Sequence, residues 1–323
     1  MIRFILGRLV KAVFILLAIL VFNFLLIHAA PGDPAAVMAG EAGAADEKFL
    51  ADLRIRFGLD QPLYIQLWTY LKGAVMLDLG FSYRQQMPVA DLIASRLPAT
   101  LLLTGVAFVL SLVLGVIAGV AASARQGSWG DTIISTLALL FYATPLFWVA
   151  LMASLVFSVW LGWLPGFGYS TIGAGYTGLA HVLDVAKHLI LPATTLGLFF
   201  TAIYMRMTRS SMLEVSRLDF VKTARAKGLR RSVIQRRHIL RNALLPVITL
   251  AGLQAGQIFG GAILTETVFA WPGIGRLMFE AISQRDYAVI LGVFYISGAM
   301  VLLFNLITDV VYVIVDPRIR LTK

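Results

Sequence analysis

The chain has no cysteine, which removes disulfides, thiol nucleophiles and thiolate metal sites at once and leaves the redox compartment unstated. Charge is also scarce, with 14% charged residues against 59% hydrophobic ones and a mean hydropathy of +0.85. A water-soluble protein of this composition would expose large apolar patches. The four histidines, His28, His181, His188 and His238, show neither close ligand spacing nor the His-Glu-x-x-His arrangement of a zinc hydrolase, so no metal site is expected. No G-x-x-x-x-G-K-[ST] phosphate loop occurs, and the chain is not expected to bind and hydrolyse ATP itself. Internal repeats, low-complexity tracts and flexible linkers are missing too.

What fills the sequence instead is a series of apolar runs of about 20 residues, the length that crosses a bilayer core, where each backbone group must bond within its own helix. Spans are expected near Leu9–Ala29, Thr100–Ala122, Thr132–Trp160, Leu189–Met205, Leu245–Glu266 and Val289–Val315, with a kink at Pro145. This predicts an all-α membrane protein of six spans. A signal peptide is the rival reading of the first run. That run is long for a signal core of roughly 7 to 15 residues, and Pro31 sits where cleavage would fall, so an uncleaved anchor is expected.

The net charge of +10 first says which loops face the cytoplasm. With both termini inside, 18 Lys and Arg fall on the inner side against 9 outside, and 8 acids crowd into residues 30–99. The expected organisation is an N-terminal span over 1–30, an extracytoplasmic loop or cap over 31–98, a transmembrane domain over 99–315 with a cytoplasmic loop at 207–244, and a cytoplasmic tail over 316–323. Tyr64, Trp68 and Tyr70 in the cap suit interfacial anchoring.

The segment from Arg206 to Asn242 holds 11 basic residues and only two acids, Glu214 and Asp219. Its pattern predicts a folded element. Asp219 is expected to N-cap a helix through Phe220 to Lys227, with Phe220, Val221 and Ala224 on one face, and Gly228 to stop it. Ser232 with Gln235 resembles a capping box for a second helix to about Leu240, after which Leu245-Pro246 returns the chain to the membrane. Two short helices hinged at a glycine suit a groove on another protein. Contact with anionic lipid headgroups would explain the charge but not the caps. A DNA-binding helix-turn-helix is disfavoured, because about 37 residues tethered by spans at both ends leave no third helix for a core.

The run Asp219-Phe220-Val221-Lys222-Thr223-Ala224-Arg225-Ala226-Lys227-Gly228-Leu229, followed by His238 and Arg241-Asn242-Ala243-Leu244-Leu245-Pro246, resembles the cytoplasmic EAA loop of ABC-importer permeases in the dipeptide, oligopeptide and nickel subgroup. Lys222 and Thr223 replace the Glu and Ala of the general pattern. Upstream, Pro31-Gly32-Asp33-Pro34, Gly58-Leu59-Asp60 with Pro62, Asp78-Leu79-Gly80 with Ser82, and Arg96-Leu97-Pro98-Ala99-Thr100-Leu101 are similar to that subgroup's first permease subunit. Downstream, Glu266, Phe269, Trp271-Pro272-Gly273, Gly275, Leu277, Asp309, Tyr312 and Asp316-Pro317-Arg318 also fit.

The resemblance implies the type I importer-permease fold in a bacterial inner membrane. It implies a homologous second permease, two cytoplasmic ATPases carrying ATP and Mg, and an extracytoplasmic substrate-binding protein, with no cofactor on this chain and peptides as cargo. Residues Asp219 to Leu229 would then be the ATPase-coupling segment.

Elsewhere, Gly252, Gly256 and Gly260 recur every four residues on the fifth span, where they allow close helix approach within the subunit or against a partner permease. Gln254 and Gln257 on the same span could line a wet pathway. Gly115 and Gly119 suit internal packing. Glu266 and Asp309 leave open an ion-coupled transporter, although both can sit at a membrane boundary, Asp309 paired with Arg318 or Arg320. A membrane-embedded hydrolase is a third class, but no Ser-His-acid set can be assigned.

Overall fold

The structure, a computed structural model, describes residues 2–29, 50–51, 54–55 and 60–315. The motifs Pro31–Pro34, Gly58-Leu59 and Asp316-Pro317-Arg318 lie outside those residues. Helices are α1 (Ile2–Ala29), α2 (Leu63–Val75), α3 (Val89–Ala124), α4 (Trp129–Ala143), α5 (Leu146–Ser154, continued by a π-helical stretch Leu155–Trp160), α6 (Gly178–Val215) and α7 (Asp219–Ala226). The helix α8 covers residues 231–268, with a π-helical stretch at Ile234–Leu240, and α9 (Ile274–Ser283) and α10 (Tyr287–Val315) follow. A two-stranded antiparallel hairpin joins β1 (Phe81–Ser82) to β2 (Met87–Pro88). Among the described residues five helices are long and apolar enough to cross a membrane, or six if the bent pair α4 and α5 is one span.

That pair corrects the expected third span. Its axis turns by 102° between Ala143 and Leu146, far more than a kink. Pro145 has no N–H to give to the preceding turn, and its ring drives Thr144 out of the helical region to φ −84°, ψ 136°. The Thr144 hydroxyl donates back to the Leu140 carbonyl at 2.7 Å, capping the end of α4.

The chain forms two compact units, Met1–Thr100 with Pro272–Leu306, and Leu101–Trp271 with the C-terminal residues. In the first, Val89, Leu92 and Ile93 of α3 pack with Ile274, Leu277 and Met278 of α9 and Val289 and Val293 of α10. This packing explains why α3 begins at Val89 and not near Thr100: its first turns carry Asp91 and Arg96, which break the hydropathy without breaking the helix. Asn23 Nδ2 donates to the Leu291 carbonyl at 3.3 Å, and His28 Nε2 lies 3.0 Å from Gln66 Oε1, tying α1 to α10 and α2.

Two motifs of this unit support helix starts from a distance. Ser82 Oγ donates to Asp286 Oδ2 at 2.5 Å while Asp286 Oδ1 accepts from the Val289 N–H at 3.3 Å, so the serine of the hairpin steadies the N-cap of α10. Thr100 Oγ1 accepts from the Ile274 N–H at 2.8 Å and caps α9, whose own N-cap residue, Gly273, has no side chain to offer.

In the second unit α6 is the central element, flanked by α4, α5 and α8. It runs from Gly178 to Val215 and not only from Leu189 to Met205: Asp184 and His188 are buried in its first turns, the Asp184 carboxylate accepting from the Thr171 N–H at 2.6 Å and hydroxyl at 2.8 Å. The expectation for Gly115 and Gly119 holds. A Cβ on Gly115 would fall 2.5 Å from Tyr204 Cβ, and one on Gly119 2.5 Å from Thr208 Cβ, both on α6. We predict that Gly119→Val separates α3 from α6 and destabilises the purified protein by about 1–3 kcal/mol, the usual range for overpacking. Gly260→Ala, where nothing lies within 4 Å, should leave the detergent-solubilised thermal midpoint unchanged or slightly raised.

Candidate functional site

The basic segment between α6 and α8 folds as an elbow with its own small core. α6 ends at Val215, the turn closes through Ser216 N–H to Met212 O at 3.1 Å and Leu218 N–H to Val215 O at 3.2 Å, and α7 starts at once. Val221 and Ala224, 0% and 5% exposed, point inward onto Met212, Ile234, Ile239 and Ala243. The expected stop is present. Gly228 adopts φ +73°, its N–H bonds the Arg225 carbonyl at 3.0 Å, and the Leu229 N–H reaches the Ala224 carbonyl at 3.4 Å. That pair of bonds is the Schellman ending, which only a residue tolerant of positive φ closes without strain.

Four expectations for the elbow are corrected. The N-cap of α7 is Leu218, and Asp219 is the first helical residue, its carboxylate turned to Lys222 Nζ at 2.8 Å in a fully exposed pair. Phe220 does not share the inner face but is 42% exposed, since it lies about 100° around the helix from Val221. Ser232 and Gln235 form no capping box, for the helix begins at Arg231 with Arg230 as N-cap and no side-chain bond. Finally, that helix does not stop near Leu240: it continues through the π-helical stretch and past Pro246, within Arg241–Val268, into the membrane. Widening the turn upstream of Pro246 lets the helix carry a proline that would otherwise break it.

The outer surface of the elbow is cationic and partly apolar. Arg225, Lys227, Arg230, Arg231, Arg236 and Arg237 are exposed and make no ion pair among the described residues. Leu218, Phe220, Leu229 and Val233 are exposed between them. Thr223 and Ala226 complete the exposed side of α7, the threonine hydroxyl turned back to the Asp219 carbonyl at 3.0 Å. A cavity of about 480 Å³ opens beside α7, lined by Ser123, Ser216, Arg225, Leu229, Arg231 and Gln235 among others.

The second candidate group, on α8, is divided by the structure. Gly252 is buried, and a Cβ there would overlap Thr308, whose hydroxyl donates to the Gly252 carbonyl at 3.2 Å. Gly256 is buried, whereas Gly260 is exposed. The glycine row is therefore an internal packing point at Gly252 and an open surface at Gly260. Gln257 is exposed, while Gln254 is half-buried with its Oε1 enclosed and without a hydrogen-bond partner. Glu266 is fully buried two residues before the end of α8. Its backbone carbonyl accepts from the Trp271 N–H at 2.8 Å. Asp309 is half-buried in α10, and Arg318 and Arg320 lie outside the described residues.

Long apolar helices, one of them broken, with a folded basic elbow between two others, define a polytopic membrane protein. The chain belongs to the family of binding-protein-dependent transport system inner membrane components, matched over residues 80–321, and residues 1–104 match the N-terminal part of such components. It is thus a permease subunit of an ABC-type importer, a class that keeps ATP hydrolysis on separate subunits.

The dipeptide transport system permease protein DppB of Alkalihalophilus pseudofirmus is 40% identical, covering 99% of this chain and all of its own length. A putative peptide permease of Brucella ovis is 41% identical over the full length of both, and the glutathione transport system permease GsiC of Escherichia coli O6:H1 is 40% identical over 99% of each. Among solved structures, the MetNI methionine ABC transporter aligns with a TM-score of 0.53 at 17% identity, over 70% of this chain and 96% of its own, which speaks for the fold. The ion-coupled alternative draws no support from these relatives.

Placing a carboxylate inside the elbow should unfold it locally. Val221→Asp would bury an unpaired charge at a cost on the order of 3 kcal/mol, and we predict faster tryptic cleavage at Lys222, Arg225 and Lys227 in membrane vesicles. Phe220→Ser, at an exposed position, should leave the cleavage rate as it is.

Proposed function

We propose that this chain is one of two homologous pore-forming permeases in a bacterial inner-membrane importer of peptides, with the residues Asp219, Phe220, Val221, Thr223, Ala224, Arg225, Ala226, Lys227, Gly228 and Leu229 coupling two cytoplasmic ATPases to it. The observation that carries this reading is the construction of the elbow. Its inner face is a sealed apolar core and its outer face a set of unpaired cations around exposed leucine and phenylalanine side chains. Headgroup binding needs only the charge. A surface with apolar anchors held rigidly between cations is suited to a protein groove, where aromatic and arginine side chains supply most of the contact energy.

In this reading both termini are cytoplasmic, a binding protein delivers cargo outside, and ATP with Mg is held by the partner subunits. The peptide and glutathione relatives suggest peptides as cargo, the distinguishing contacts residing largely on the binding protein. Gln254 on α8 is a candidate for the pathway. Its enclosed, partnerless oxygen is the kind of group that a passing amide can satisfy. The division of the chain into an N-terminal span, an outer cap over 31–98 and a transmembrane domain over 99–315 belongs to the same reading.

Purification of the complex through this subunit, followed by identification of its companions and peptide binding to the recovered binding protein, tests the assignment. Recovery without any ATPase would overturn it. Gly228→Val forces a β-branched residue into positive φ, a strain of about 1–3 kcal/mol. We expect normal insertion and continued ATP hydrolysis, with uptake reduced about tenfold when assayed in proteoliposomes.

A further inference from the structure

The second unit contains a part-buried ion pair that none of the motifs above includes, its carboxylate enclosed and its guanidinium 31% exposed. Asp131, in the first turn of α4, is 5% exposed. Arg209, near the end of α6, grips it with both arms of its guanidinium, Nε to Oδ1 at 2.7 Å and Nη2 to Oδ2 at 2.7 Å. The Gly127 N–H adds a bond to Oδ2 at 3.0 Å and Ser135 Oγ one to Oδ1 at 3.4 Å, so each carboxylate oxygen accepts twice. Three pieces of chain meet on this one side chain: the turn after α3, the base of α4 and the end of α6.

Its location links two parts of the molecule. Arg209 lies one turn of α6 before Met212, the residue on which Val221 and Ala224 of the elbow rest. Asp131 lies at the foot of α4, whose far end is the 102° break at Thr144-Pro145. A second contact runs along the same two helices, the Arg206 guanidinium 5.1 Å from the centre of the Tyr142 ring, which itself stacks on Phe199 at 5.4 Å.

Such a pair contributes little net stability, because burying the carboxylate offsets much of the attraction and the guanidinium keeps part of its water. What it supplies is a single geometry, fixed by the planar fork that lysine lacks. Hydrophobic packing between α4 and α6 would allow them to slide. This pair does not.

We propose that Asp131 and Arg209 are positioning residues that make the elbow and the first half of the broken span move as one body, so that displacement of α7 is delivered to the bend at Thr144-Pro145. The inference rests on the coupling role proposed for the elbow.

The absence of native cysteine allows a direct mechanical test. In the complex carrying Asp131→Cys with Arg209→Cys, reconstituted with its ATPases and binding protein, uptake per ATP hydrolysed should fall about fivefold or more, while the amount of ATPase recovered per permease stays normal. Joining the two thiols with a reducible bis-maleimide linker should restore the ratio, and reductant should abolish it again. An equal ratio in the linked and unlinked states, or an unlinked ratio equal to that of the unmodified complex, would overturn the inference. Should the double variant not assemble, Arg209→Lys keeps the charge but not the fork, and normal coupling there overturns it as well. The unmodified complex run alongside separates the two levels. If its own uptake does not depend on ATP, the coupling reading fails; if it does and the variants match it, only the strut fails.

Discussion

In a bilayer no water reaches the backbone, so every N–H and C=O of a spanning segment must be bonded within the protein, and the helix ends become the places where design is visible. Four endings here use the same solution. At α2, α7, α8 and α9 the chain closes with a residue at positive φ and a bond from the following N–H back to the carbonyl five residues earlier, as in Asp78 to Gly73, Leu229 to Ala224, Trp271 to Glu266 and Asp286 to Ala281. The start of α9, whose own N-cap is Gly273, borrows a cap from Thr100, and the N-cap of α10, Asp286, is steadied by Ser82. Among the described residues, the motifs Asp78-Leu79-Gly80, Gly228-Leu229 and Trp271-Pro272-Gly273 sit at these endings.

The same constraint bears on the irregular places. The break at Thr144-Pro145 is closed by the Thr144 hydroxyl, and the π-helical stretches at Leu155–Trp160 and Ile234–Leu240 keep backbone groups bonded where the helix must widen. Trp271 shows how one ending also builds the surroundings. Fully buried, it packs at a tilt against Tyr169 with ring centres 4.8 Å apart, and the neighbouring Phe269 carbonyl accepts from the Gly168 N–H at 2.8 Å, so the glycine-rich loop before α6 is fastened to the end of α8.

Sequence reading found what composition and glycine can express. The apolar runs, the helix at 219 and its stop at Gly228 were legible because hydropathy and positive-φ tolerance are properties of single residues. Three of the four Schellman endings were not, since Leu77, Ala270 and Arg285 hold the positive φ where glycine would have announced it. The early starts of α3 and α6 were hidden by Asp91, Asp184 and Lys187, which interrupt an apolar run but not a helix. Asp219 misled as a cap because an acid is equally favourable in the first turn, where it meets the helix dipole. The partnership of Asp131 with Arg209 spans 78 residues, and no periodicity reports a contact between distant elements.

The elbow and the ion pair make opposite use of arginine. Outside α7, the guanidinium groups stand in water without partners, where their attraction for an acidic surface is long-ranged and weakened by salt, so they can guide an encounter and release it. In α6, Arg209 is committed to one buried carboxylate at bidentate distance, where the planar fork fixes the geometry. The lever proposed above would need both properties at its two ends: reversible capture where force is received and fixed attachment where force is passed on. Small side chains meet the same demand between them, for Ala224 brings α7 close to Met212 while Gly115 and Gly119 bring α3 close to α6, leaving little slack in which a displacement of the elbow could be absorbed.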